Sequence, residues 1–221
     1  MRRFLRQNGL SVAVFGLFLL FLAGESIAGY LAHNEELHEH GAPPLPYVRF
    51  ITSGTFIEST TENWESEFLE MGAYVLLTAF LFQKGSAESK KLDQSEPADR
   101  DPRKAPPHPD APWPVRRGGW ILRLYENSLS IGFAVLFLAA FLLHAGGGMA
   151  AYNEDQRLHG EEAITLIQFL GTSQFWYQSL QNWQSEFLGL GSMVVLSIFL
   201  RQRGSPESKP VASAHSETGG D

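Results

Sequence analysis

Residues 10–22 read LSVAVFGLFLLFL, and residues 129–143 read LSIGFAVLFLAAFLL. Neither run holds a charge or a proline, so a helix through either is apolar on every side. A helix needs about 20 residues to cross roughly 30 Å of hydrocarbon. Continued to Leu31 and to Ala151, both runs reach that length. Two further runs, Phe68–Phe82 and Phe187–Leu200, are shorter. They reach spanning length only by taking in the turn before them, which brings Trp64 and Glu67 into one and Trp183 and Glu186 into the other. The expected fold is therefore all-α and integral to a membrane, with four transmembrane helices.

Composition agrees with segregation of polar and apolar blocks. The 221 residues carry 17 Lys+Arg against 24 Asp+Glu, a net charge of −7, and no cysteine. The acidic balance speaks against nucleic acid as a partner. The missing cysteines exclude disulfides, thiol catalysis and Cys-based metal centres. With the N-terminus in the cytoplasm, 15 of the 17 positive charges fall on the cytoplasmic side and only Arg49 and Arg157 fall outside. That is the asymmetry of the positive-inside rule, and it puts both termini in the cytoplasm. A cleaved signal peptide is the competing reading of run 10–22. Run 129–143 resembles it without being N-terminal, which favours a retained span.

Shifting the chain by 119 residues aligns it with itself without a gap, and 32 of the 86 positions from 5 to 90 are identical. Asn63-Trp64-Glu65-Ser66-Glu67-Phe68-Leu69 falls on Asn182-Trp183-Gln184-Ser185-Glu186-Phe187-Leu188, and Gly85-Ser86-Ala87-Glu88-Ser89-Lys90 falls on Gly204-Ser205-Pro206-Glu207-Ser208-Lys209. Each copy has two spans and so enters and leaves on one side. The copies are parallel repeats, with an expected pseudo-two-fold along the membrane normal. The expected division is a first two-span repeat at 1–85, a cytoplasmic linker at 86–118, a second repeat at 119–204 and a tail at 205–221. The linker holds seven of the chain's 12 prolines. Such a composition cannot bury a core and predicts disorder there and in the similar tail.

The N-W-x-S-E-F-L and G-S-x-E-S-K blocks resemble those of a bacterial family of uncharacterised multi-pass membrane proteins, a domain of unknown function. The resemblance covers nearly all of the chain outside the linker and tail. It implies a bacterial inner-membrane location and brings no activity, substrate or catalytic residue with it.

Phe56, Thr60, Trp64 and Phe68 recur every fourth residue, as do Phe175, Ser179, Trp183 and Phe187, so each set forms one helical stripe. Amphipathic outer helices running into the second and fourth spans are expected, started by Ser53 or Thr55 in the first copy. Trp64 and Trp183 then anchor the outer interface and Trp120 the inner one. Asn63, Ser66 and Glu67, with Asn182, Ser185 and Glu186, lie on a neighbouring face. They can form a polar clamp between repeats or an ion site.

Glu25 and His144 occupy equivalent repeat positions, and ionisable groups at membrane depth are costly and commonly paired or functional. They can meet as acid and base, or each can reach the interface from its helix end. His33, His38, His40 and His159 stand among acidic residues outside. They are weak candidates for zinc or copper, because H-x4-H-x-H follows no strict ligand spacing. His40-Gly41 and His159-Gly160 can instead close the first and third helices, and Gly85 and Gly204 the other two. No nucleophile–base pattern, Walker motif or dinucleotide fingerprint occurs, so no enzyme activity and no cofactor are expected. The expected role is a structural or interaction protein of the envelope, with the bilayer, other membrane proteins or itself as partner. Proton- or cation-coupled permeation through Glu25, His144, Glu67 and Glu186 is the alternative, and outer-face metal binding a further one.

Overall fold

The computed structural model describes residues 2–104, 108 and 110–219, and among these it is all-helical. Four long helices dominate: α1 (Arg2–Glu39), α3 (Gly54–Phe80), α6 (Ser128–Leu158) and α8 (Ser173–Phe199). Short helices stand before them: α2 (Tyr47–Phe50) ahead of α3, α4 (Trp113–Arg117) and α5 (Gly119–Glu126) ahead of α6, and α7 (Leu166–Phe169) ahead of α8. Residues 105–107 and 109 of the expected linker, and 220–221 of the expected tail, lie outside the described residues.

Positions 119 apart shape the chain in the same way. Asn8 departs from helical geometry inside α1 (φ −126°, ψ 17°), and Asn127 does so between α5 and α6 (φ −113°, ψ 9°). Each returns its side-chain amide to the carbonyl four residues back, Phe4 at 3.1 Å and Arg123 at 2.8 Å. The expectation that His-Gly closes helices holds. Gly41 and Gly160 follow the ends of α1 and α6 with φ of 70° and 75°, a left-handed conformation that glycine adopts without steric cost. Gly85 and Gly204 also have positive φ. They do not cap α3 and α8, however, which stop at Phe80 and Phe199. They sit in a later turn, where the amides of Ser86 and Ser205 bond the carbonyls of Gln83 and Gln202, each at 3.2 Å.

The chain forms two compact units that cut across the sequence repeat. One takes Met1–Thr61 and Leu142–Phe175, the other Glu62–Phe141 and Trp176–Asp221. In the first, Phe50, Phe169 and Phe175 are fully buried. Each such side chain contributes about 1.5–3 kcal/mol relative to exposure. Asn34 grips the loop after α1 by two hydrogen bonds, accepting from Leu45 N at 2.6 Å and donating to Leu45 O at 3.1 Å. Asn153 does the same to Ile164 at 2.7 and 2.9 Å. The start of α3 packs backbone to backbone on α6. A Cβ on Gly54 would meet Gly147 O and Ala151 N at 2.6 Å, and one on Gly147 would meet Glu58 N at 2.7 Å. Small residues permit this approach, as they do at helix contacts in membranes.

In the second unit, α3 and α6 also touch, and a Cβ on Gly72 would meet Phe133 Cβ at 3.2 Å. The G-S-x-E-S-K turns are near copies. Gln83 N and Gln202 N both donate to the serine hydroxyl six residues on, Ser89 and Ser208, at 2.9 Å. Ser86 is buried and its hydroxyl meets that of Ser197 at 2.9 Å. Lys209, also buried, donates to the carbonyls of Ala214, His215 and Glu217. Burial, then the neighbouring Arg201 charge, holds its ammonium below the usual lysine range.

Among the described residues, two helices are long and apolar enough to cross a membrane: Arg3–Glu39 and Ser128–Leu158, each with a mean hydropathy of 2.1 over its most apolar stretch. Leu10, Phe15 and Phe21 of α1 and Leu136, Leu138 and Leu142 of α6 are all exposed. Apolar surface of this extent marks a face that contacts something other than water.

Candidate functional site

The cap of α3 begins the site. Ser53 accepts the Phe56 amide at 3.3 Å, as expected of a capping serine, and Thr172 accepts the Phe175 amide at 3.3 Å ahead of α8. These caps fix the rotation of the two helices, and with it the stripes. Thr60, Phe175 and Ser179 are buried, while Phe56, Trp64, Phe68 and Trp183 are half-buried. Phe187, at the end of its stripe, is exposed.

Within the first unit, His144 is fully buried on α6 and stacks on Phe175, with ring centroids 4.9 Å apart. Glu58, on α3, is also buried. Its Oε1 would lie 3.0 Å from a Cβ on Gly148. Gly148 is one turn beyond His144, at i+4, on the same face of α6. The Glu58 carboxylate therefore rests against the face of α6 that carries His144. Thr61, one turn along α3 from Glu58, is buried as well.

Glu25 has different surroundings. It is exposed, and its carboxylate accepts from the hydroxyls of Ser59 at 3.4 Å and Thr60 at 3.3 Å. Its neighbour Ser26 is buried and bonds Tyr47 Oη at 2.8 Å.

Within the second unit, the N-W-x-S-E-F-L blocks separate by role. Ser66 is buried and turns its hydroxyl back to Asn63 O at 2.8 Å, and Ser185 does the same to Asn182 O at 3.0 Å while exposed. Asn63 is exposed and Asn182 half-buried. Glu67 and Glu186 are brought together, joined by Glu70, with carboxylate oxygens within 4.8 Å of one another. Trp183 donates its indole N–H to Glu65, a fully buried carboxylate, at 3.0 Å. Trp120 is exposed on α5.

Of the outer histidines, His38 is exposed and His33 buried. His40 and His159 come together with ring centroids 5.7 Å apart. Their Nδ1 atoms face the carbonyls of Glu36 and Asp155, both at 2.9 Å. That backbone contact, and then the Asp155 charge, raises the pKa of His159 above 6.5.

Glu58 and Glu65 were not expected from the sequence. Glu58, Thr61 and Glu65 follow the i, i+3, i+7 spacing of a single face, which is the signal that could have found them. Their counterparts in the second copy, Tyr177, Leu180 and Gln184, carry no charge. Comparison of the copies therefore points to Glu67 and Glu186 instead.

Fold and site together define an all-helical protein with two potential membrane-crossing helices and ionisable side chains buried between helices. The chain belongs to a family described as Domain of unknown function (DUF6766), whose model matches residues 1–220. No curated protein and no solved structure matches it.

Proposed function

We propose that this chain is a four-span protein of the bacterial inner membrane that binds and releases a proton at Glu58 and His144, as part of a small proton-coupled permeation unit. The observation that carries this reading is the buried Glu58 carboxylate resting on the face of α6 that holds the buried His144. An acid and a base buried between two helices are expensive to keep, and a proton exchanged between them has a use for both. Both termini lie in the cytoplasm, as the charge asymmetry favours. At 27 residues each, α3 and α8 are about 40 Å long and long enough to serve as the second and fourth spans. Four spans enclose little space, so the permeating unit is an oligomer of this chain. No enzymatic step enters this reading.

The test is reconstitution of the pure protein in liposomes carrying a pH-sensitive dye, with an imposed potential. Proton flux above that of empty vesicles is expected. It is expected to vanish in Glu58→Gln and in His144→Ala and to persist in Glu25→Gln. Absence of flux in the wild type overturns the reading. In that case the polar groups are structural, a scaffold role that the matched Asn34 and Asn153 loop clamps also favour.

A further inference from the structure

We propose that His33 is the centre of a divalent metal-ion site outside the membrane, completed by carboxylates of α1 and α6. A cavity of about 190 Å³ in the first unit is lined by His33, Glu36, Tyr152, Glu154, Asp155 and Gln174, among others. His33 is only 8% exposed, and among the described residues neither of its ring nitrogens has a hydrogen-bond partner. Phe50 holds the ring from one side at 5.6 Å between centroids. A buried imidazole with both nitrogens unmatched is costly, and a ligand that takes a nitrogen lone pair removes that cost.

The Glu36 carboxylate stands 3.9 Å from His33 Nδ1, beyond hydrogen-bond reach. Two ligands of one tetrahedral Zn²⁺, each about 2.0–2.2 Å from the ion, stand roughly 3.3–3.6 Å apart. A small rotation of Glu36, whose side chain is 59% exposed, closes that difference. Asp155 is also exposed and can turn into the cavity from its contact with His159. One imidazole with two or three carboxylates suits a divalent transition ion and offers enough negative charge to neutralise it. The volume leaves room for the ion and for water in its remaining positions.

This site is separate from Glu58 and His144, so either proposal can fail alone. The test uses the full chain in detergent, stripped with chelator and titrated with Zn²⁺ by calorimetry. One saturable site is expected. Binding should weaken by roughly tenfold or more in His33→Ala and in Glu36→Gln. Saturating Zn²⁺ should raise the melting temperature of the wild type and not that of His33→Ala. Glu36→Gln alters an exposed side chain and guards against a folding defect in His33→Ala. Binding should survive in the double variant His40→Ala/His159→Ala. Absence of saturable binding overturns the proposal. So does binding lost only in the His40/His159 variant, which would place the ion on that exposed imidazole pair, and so does binding unaffected by any of these changes.

Discussion

Trp183 donates its indole N–H to the carboxylate of Glu65 at 3.0 Å, joining α8 to α3. The counterpart of Glu65 in the second copy is Gln184, which is exposed. A hydrogen bond to a buried charged group contributes about 1.5–3 kcal/mol. Trp183→Phe keeps most of the packing against Phe137 and Trp176 and removes the donor. It should destabilise the folded protein by roughly that amount, while Gln184→Ala should change stability by less than about 0.5 kcal/mol. Denaturant unfolding in detergent measures both.

The backbone contact of α3 with α6 tolerates no side chain. Gly54→Leu and Gly147→Leu each drive atoms into backbone at the distances a Cβ alone already violates. Each should cost about 1–3 kcal/mol or more by overpacking. Gly146, whose Cβ would meet nothing within 4 Å, should accept Ala with little change. Thermal melts of the three variants distinguish this contact from general intolerance of the glycine run.

The Asn34 and Asn153 clamps should be nearly equal in worth. Each replaces a turn's missing backbone partners with one amide side chain. Asn34→Ala and Asn153→Ala should each lose about 1–3 kcal/mol. Hydrogen exchange at the Leu45 and Ile164 amides should accelerate in the matching variant and not in the other.

His159 gives the outer turn a pH dependence of known sign. Its folded pKa lies above 6.5, raised by contact with the Asp155 carbonyl and then by the Asp155 charge. The protonated ring is therefore favoured by folding. Its stabilising contribution is complete below the unfolded value and is lost as pH rises through the folded one. His159→Ala should flatten the stability profile of the turn as pH rises above the unfolded histidine value. Histidine titration by NMR should show this ring raised from the ordinary imidazole value.

The long helices were legible because apolar runs at 10–22 and 129–143 need no periodicity to be recognised. The Gly41 and Gly160 ends and the Ser53 cap were legible because each is a local choice of backbone angle or side-chain oxygen. Glu58 and Glu65 were not. A charge on a helix reads as solvated unless the opposing surface is known, and the opposing surfaces here are glycine backbone and an indole from distant sequence. His33 was legible as a candidate ligand, but its difference from His38 was not. Burial separates them, and both stand in the same acidic stretch.

The Gly54–Gly147 contact joins the first copy of the duplicated sequence to the second, and the equivalent positions hold Ser173 and Ala28. The complementary surfaces have therefore been divided between the copies. Cut in the linker and expressed as two polypeptides, the halves should recognise each other in preference to themselves. The close approach of Gly54 to Gly147 needs one segment from each copy, so the two copies are no longer interchangeable at this contact.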